Sequence, residues 1–338
     1  MISTSTKIEA VPTNIITGFL GAGKTSAILH LLKSKPDNER WAVLVNEFGE
    51  IGIDGSLFSG QHNEQNNVFI REVPGGCMCC AAGLPMQIAL NQLLTRAKAD
   101  RLLIEPTGLG HPIEVLEILT SEYYHDVLSI QKIITLVDAR NLTDTNYTEH
   151  ATFNQQIASA DIIVGNKQDL YQLDDKTRLR QYALSKSLPD VEVIFTEHGQ
   201  LPLTALEGNS YVSVNSHQHH HHRDSAEQPN LTDMTLPESG YLKAINQGEG
   251  FHSVGWRFDP SKVFNRDALF LFLSGLSVER AKAVFITETG IFGYNLTQDA
   301  LTEIELDDCR ESRLEIISRD LCDQWEEQLL SCLTATGE

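Results

Sequence analysis

The run Gly18-Phe19-Leu20-Gly21-Ala22-Gly23-Lys24-Thr25 fits G-x-x-x-x-G-K-[ST] and commits the chain to a strand, a glycine turn and a helix in immediate succession. An apolar segment at 14–17 precedes it, and a helical pattern at 24–33, stopped by Pro36, follows. In that context the backbone N–H groups of Gly18, Gly21, Ala22 and Gly23 can close on a phosphate at the positive end of the helix. Lys24 would reach the β- and γ-phosphates, the Thr25 hydroxyl would hold Mg²⁺, and Ser26 completes the nucleotide-binding turn.

The same alternation continues downstream. Strand-like runs fall at 41–46, 68–73, 102–105, 133–138, 162–166 and 191–195, with helical patterns at 84–97, 113–119, 153–158 and 176–186. Near-continuous apolar strands between helices point to a parallel sheet covered on both faces, so the expected fold class is α/β, a P-loop parallel sheet flanked by helices. Residues 208–237 are polar with few apolar anchors and read as a linker or mobile loop. Strand patterns return at 253–258, 283–287 and 314–317, with helices at 266–273 and 320–333, which implies a smaller C-terminal α+β domain. The expected division is 1–206, 207–240 and 241–338.

Composition removes several functions. Lys and Arg number 26 against 46 Asp and Glu, a net charge of −20, which opposes tracking of a phosphate backbone, so nucleic acid is not an expected partner. Apolar runs such as 133–137 are far shorter than the roughly 18 residues a bilayer span needs, so no membrane partner is expected either. Residues 1–10 lack an apolar signal core, and the expected location is the cytoplasm.

Two further segments complete a nucleotide site. Asn166-Lys167-Gln168-Asp169 follows the apolar run 162–164. A carboxylate there accepts from N1–H and the exocyclic amine of guanine, which adenine does not offer, so GTP is favoured over ATP. Leu102-Leu103-Ile104-Glu105-Pro106-Thr107-Gly108 places Glu105 at the carboxyl end of a buried strand, where a Mg²⁺-side acid belongs, and Gly108 where a γ-phosphate-sensing glycine belongs.

Gly75-Gly76-Cys77-Met78-Cys79-Cys80 supplies three thiolates within four residues, after glycines that let the chain turn. Cys77, Cys79 and Cys80 are too close for a disulfide framework and suit Zn²⁺ or Cu(I), with a fourth ligand from elsewhere in the fold or from solvent. Buried apolar cysteines or a redox pair are the bland alternatives. The cluster lies between the phosphate loop and the Glu105 strand, so metal occupancy and nucleotide state are expected to be coupled by about 1–3 kcal/mol.

Together 18–25, Asn46-Glu47-Phe48-Gly49-Glu50, 76–80, 105–108 and 166–169 resemble the CobW-type GTPases, relatives of the nickel-inserting GTPases of urease and hydrogenase maturation. Residues 153–161 are similar to that family as well. The resemblance is strong over 12–205 and loose over 241–338. It implies a GTP-hydrolysing metallochaperone that binds GTP and metal together, docks a client apoprotein and transfers metal on hydrolysis. It further implies Cys77, Cys79 and Cys80 as metal ligands, Lys24 and Thr25 on phosphate and Mg²⁺, Asn166, Lys167 and Asp169 on guanine, and Glu47 in the first switch. Lys24, Thr25, Glu47 and Glu105 then form the catalytic set. Zn²⁺ is the metal the thiolates favour, with Co²⁺ or Ni²⁺ as alternatives. The expected partners are GTP and GDP, a client metalloprotein, and a second copy of the chain as one possible assembly.

One departure stands out: the family's usual Glu-Thr/Ser-Thr-Gly run is here Glu105-Pro106-Thr107-Gly108, and Pro106 stiffens that turn. No glutamine or arginine identifies itself as the residue that positions the attacking water, so intrinsic hydrolysis is expected to be slow.

His217, His219, His220, His221 and His222 form an internal run able to collect Zn²⁺, Ni²⁺ or Co²⁺, or else a plain polar linker. This leaves a metal-storage protein as the rival reading, beside a maturation factor for a cobalt enzyme or cobalamin synthesis. Residues 297–338 hold twelve acidic and three basic side chains, read as solvated faces or a client-docking surface. Cys309, Cys322 and Cys332 have no ligand spacing and are expected to pack as small apolar residues.

Overall fold

The computed structural model describes residues 8–45, 67–73, 84–189, 191–212, 236–248, 250–297, 300–306, 309 and 311–334. The chain divides into two compact units. The first holds β1 (Val11–Gly18), α1 (Lys24–Ser34), β2 (Trp41–Val45), β3 (Val68–Glu72), α2 (Leu84–Ala97), β4 (Arg101–Glu105), α3 (Pro112–Leu119) and β5 (Leu128–Val137). It continues through α4 (Ala151–Ala158), β6 (Ile162–Gly165), α5 (Asp175–Lys186) and β7 (Glu192–Phe195).

Its strands form one sheet in the order β3-β2-β4-β1-β5-β6-β7. Every pairing is parallel, so all seven strands end at the same edge. The strands are apolar on both faces, as a doubly covered sheet requires. On one face Ile15, Ala42, Leu44, Leu102 and Ile104 pack with α2 and α3 through Met86, Leu90, Leu93, Val115 and Leu119. Their alternates Ile16, Val43 and Leu103 are fully buried on the other, where α1 lies on β1 and β4. The chain builds β2, β3 and β4 to one side of β1 and β5 to β7 to the other, which makes the carboxyl end of β1 the switch point at which sheets of this kind bind ligands.

The second unit is a sheet in the order β12-β11-β10-β13-β9-β8, antiparallel throughout. Its strands are β8 (Tyr241–Gly248), β9 (Phe251–Phe258), β10 (Arg280–Thr287), β11 (Gly290–Leu296), β12 (Leu301–Leu306) and β13 (Ser312–Ser318). Helices α6 (Arg266–Ser274) and α7 (Gln324–Ser331) bury Leu269, Leu273, Trp325 and Leu329 against Trp256, Phe258, Phe285 and Tyr294. Four acids of the C-terminal stretch are paired inside this unit: Glu303 with Arg266, Glu311 with Arg257 and Arg313, Glu315 with Arg280 and Glu326 with Lys243. Cys332 is buried and Cys309 half-buried, whereas Cys322 is exposed and does not pack as an apolar residue. Among the described residues no helix is long and apolar enough to cross a membrane.

Candidate functional site

The carboxyl edge of the parallel sheet gathers the nucleotide motifs from separate parts of the chain. The turn after β1 delivers Lys24 and Thr25 at the first turn of α1, with Lys24 buried beneath the loop. Its ammonium donates to the carbonyl of Gly18 at 2.8 Å and of Phe19 at 3.4 Å, so the loop's own backbone orients the cation. Phe19 anchors the turn by packing edge-on against Tyr147, His150 and Phe153.

Strand β4 carries Glu105 to the same edge, where only 3% of it is exposed. Thr25 Oγ1 donates to Glu105 Oε1 at 3.1 Å. A hydroxyl and a carboxylate at the mouth of a phosphate loop are hard oxygen donors of the kind Mg²⁺ selects. The turn that follows packs tightly: a Cβ on Gly108 would stand 2.6 Å from Leu20 Cδ2 and 3.0 Å from the Leu20 amide nitrogen, so only glycine lets the two loops touch.

On the other side of β1, Asn166 directly follows strand β6, and its amide is committed at both ends. Nδ2 donates to the Ala22 carbonyl at 2.9 Å and Oδ1 accepts from the Gly199 N–H at 3.1 Å. Asn166 thereby ties the phosphate loop to the loop after β7. Lys167 adopts a left-handed conformation with φ 61° and places its ammonium 3.6 Å from Asp138 at the end of β5. Asp169 is exposed at the start of a short 3₁₀ turn, with its carboxylate at the surface. Behind it the Tyr171 hydroxyl accepts from Ala139 N–H and donates to the Val137 carbonyl; burial pushes this phenol well above its usual range and keeps it neutral.

The structure also brings residues to this edge that sequence reasoning missed. The 196–199 loop reaches α1: Gly199 has φ +71°, and a Cβ there would stand 2.6 Å from the Ala27 amide nitrogen. Its position directly after the seventh parallel strand was the available signal, because ligand loops follow strand carboxyl ends. Gln156 on α4 donates to the carbonyls of Gly108 and Gly110. It lies in the family-like stretch 153–161, which carried no hint of this contact.

Glu47, Cys77, Cys79, Cys80, His217, His219, His220, His221 and His222 lie outside the described residues. Among the described residues no group of three or more His, Cys, Asp or Glu side chains is placed to hold a metal ion.

A family profile described as "CobW/HypB/UreG, nucleotide-binding domain" matches residues 12–195. The chain is 40% identical over 321 residues to "Zinc chaperone YeiR" of Escherichia coli (strain K12), covering 92% of this chain and 94% of that protein. It is 30% identical over 229 residues to "Zinc chaperone CobW" of Pseudomonas aeruginosa, covering 60% of each. It is 30% identical over 205 residues to "Zinc-regulated GTPase metalloprotein activator 1" of Schizosaccharomyces pombe, covering 60% of this chain and 49% of that protein.

Proposed function

The chain belongs to the CobW/HypB/UreG family of P-loop GTPases, and on that premise we propose that it is a zinc metallochaperone whose GTP hydrolysis drives metal from Cys77, Cys79 and Cys80 to a client apoprotein. In this reading Lys24 and the loop amides bind phosphate, Asp169 accepts from guanine, Glu105 and Thr25 hold Mg²⁺, and Gly108 senses the γ-phosphate. Mg²⁺, when bound, neutralises charge on the β- and γ-oxygens. The protein's own part is positioning: the Thr25–Glu105 hydrogen bond presents both oxygens at one point, and Asn166 locks the base loop to the phosphate loop.

The observation that carries the coupling is a register. Glu72, Val45 and Glu105 pair in one row across β3, β2 and β4, so the chain leaves β3 level with the Mg²⁺-side carboxylate. Cys77 comes five residues after Glu72. Five residues reach about 17 Å, and three neighbouring strands span about 10 Å, so the tether is long enough to bring thiolate and nucleotide chemistry together. Cysteine sulfur favours Zn²⁺ as cargo over harder ions, and identity across almost the whole length of a protein named as a zinc chaperone supports the same metal.

The test is the triple variant Cys77→Ser, Cys79→Ser, Cys80→Ser, measured for zinc affinity and for the effect of zinc on GTP turnover. Both are expected to be lost while GDP affinity persists. A variant that keeps both contradicts the proposal. Removing 216–223 separates chaperone from store: a chaperone keeps one tight zinc site, a store loses most of its bound metal.

A further inference from the structure

We propose that Gln156 is a positioning residue for GTP hydrolysis, holding the turn that carries Gly108 in place against the phosphate loop; the inference rests on the reading of Gly108 as the γ-phosphate sensor. Gln156 sits on α4 with no exposed surface. Both hydrogens of its amide are used on one turn: Nε2 donates to the Gly108 carbonyl at 3.1 Å and to the Gly110 carbonyl at 3.0 Å. The turn is closed on itself by Gly110 N–H to the Thr107 carbonyl at 3.0 Å. From behind, the Gln156 carbonyl accepts from Thr135 Oγ1 on β5 at 2.9 Å, so the helix that holds the turn is itself fixed to the sheet.

The orientation of the amide is dictated, because turning it over would set Oε1 against two carbonyl oxygens, and acceptors do not pair. Oε1 is instead buried with no hydrogen-bond partner among the described residues. An apolar side chain of similar size would remove that unmatched acceptor but would leave the buried Gly108 and Gly110 carbonyls without their donor. What the amide adds is the pair of donors, and both go to the turn. That turn has no slack on its other side, where Gly108 meets Leu20 of the phosphate loop too closely for a Cβ. Gln156 therefore fixes where the Gly108 peptide stands when a γ-phosphate arrives, without touching nucleotide itself.

Two substitutions test this in the full-length protein, with GTP turnover followed from about pH 8 to about pH 6 and GDP affinity read with a fluorescent GDP analogue. Gln156→Leu keeps the size and removes both donors. Its kcat should fall on the order of 10- to 100-fold, the scale of a misplaced catalytic group, while GDP affinity stays within about twofold because GDP lacks the sensed phosphate. Gln156→Glu adds a titration: a buried carboxyl is raised in pKa, donates one bond when protonated, and when ionised faces two carbonyl oxygens. Its kcat should climb as pH falls, relative to the unsubstituted protein.

If Gln156→Leu turns over GTP within twofold of the unsubstituted protein, the inference is overturned. The same follows if GDP affinity falls as far as kcat, or if the Gln156→Glu profile runs parallel to that of the unsubstituted protein. Should Gln156→Leu not fold, the Gln156→Glu profile alone decides. Gly108→Ala checks the premise separately: equal affinity for GDP and a GTP analogue in the unsubstituted protein, unchanged by that substitution, would overturn the sensor reading itself.

Discussion

Thr25 Oγ1 and Glu105 Oε1 are hydrogen-bonded at 3.1 Å, joining the first turn of α1 to the carboxyl end of β4 across the floor of the phosphate loop. The contact spans 80 residues of sequence and is made possible by the parallel pairing of β1 with β4, in which Ile15 faces Ile104 one residue before Glu105. In the proposed reading, the two oxygens that would face Mg²⁺ are held side by side by the fold itself, so ordering them adds little to the cost of binding.

Replacing Glu105 tests that assembly. Glu105→Gln keeps the shape and removes the charge that would face Mg²⁺. GTP turnover is expected to fall on the order of 100-fold, with a higher Mg²⁺ concentration needed for half-maximal rate. Turnover and Mg²⁺ dependence unchanged from the unsubstituted protein would remove Glu105 from the site.

Gly199→Ala tests the loop after β7. The added Cβ meets the α1 backbone at Ala27 and Ser26, which cannot swing aside, and the residue holds φ +71°. Strain of this kind costs about 1–3 kcal/mol, so the urea midpoint of the first unit should drop. Guanine nucleotide affinity should drop with it, since Asn166 would lose its Gly199 partner. A midpoint equal to that of the unsubstituted protein would contradict the close approach.

The ion pairs of the C-terminal unit set its acid sensitivity. The hydrogen bond from Arg266 is the main cause holding the Glu303 carboxyl below the usual range, against an opposing push from burial. Glu326 is held low in the same way, first by Lys243. Because the folded-state values are depressed, these pairs contribute fully above the unfolded carboxylate value of about 4.3 and are lost as pH falls through the lower folded value. Stability followed by tryptophan fluorescence should therefore decline below about pH 4.3, and Glu303→Gln should flatten part of that decline. Parallel curves for the two proteins would contradict the pairing.

Much of the first unit was legible because its chemistry is local. The octapeptide at 18–25 states its own strand, turn and helix, and the helix read from 84–97 matches α2 (Leu84–Ala97). The second unit was harder. Strands β11 (Gly290–Leu296) and β12 (Leu301–Leu306) mix Gly, Asn, Thr and Glu with their apolar residues, and only the pairing of β11 with β10 and of β12 with β11 turns them into sheet. The acidic surplus at 297–338 read as solvated faces or a docking surface, and the pairing of four of its twelve acids, Glu303, Glu311, Glu315 and Glu326, with cations far away in sequence gave no local signal. Gln156 was invisible for the same reason: a glutamine in an amphipathic helix says nothing of which carbonyls the fold will set before it.

The central claim is that nucleotide state and metal affinity are coupled, and zinc affinity measured by competition with a chromophoric chelator tests it most directly. The measurement compares protein loaded with GDP and protein loaded with a non-hydrolysable GTP analogue, both with Mg²⁺. The account predicts affinities that differ tenfold or more, about 1.4 kcal/mol of coupling. Equal affinities in the two states would contradict it.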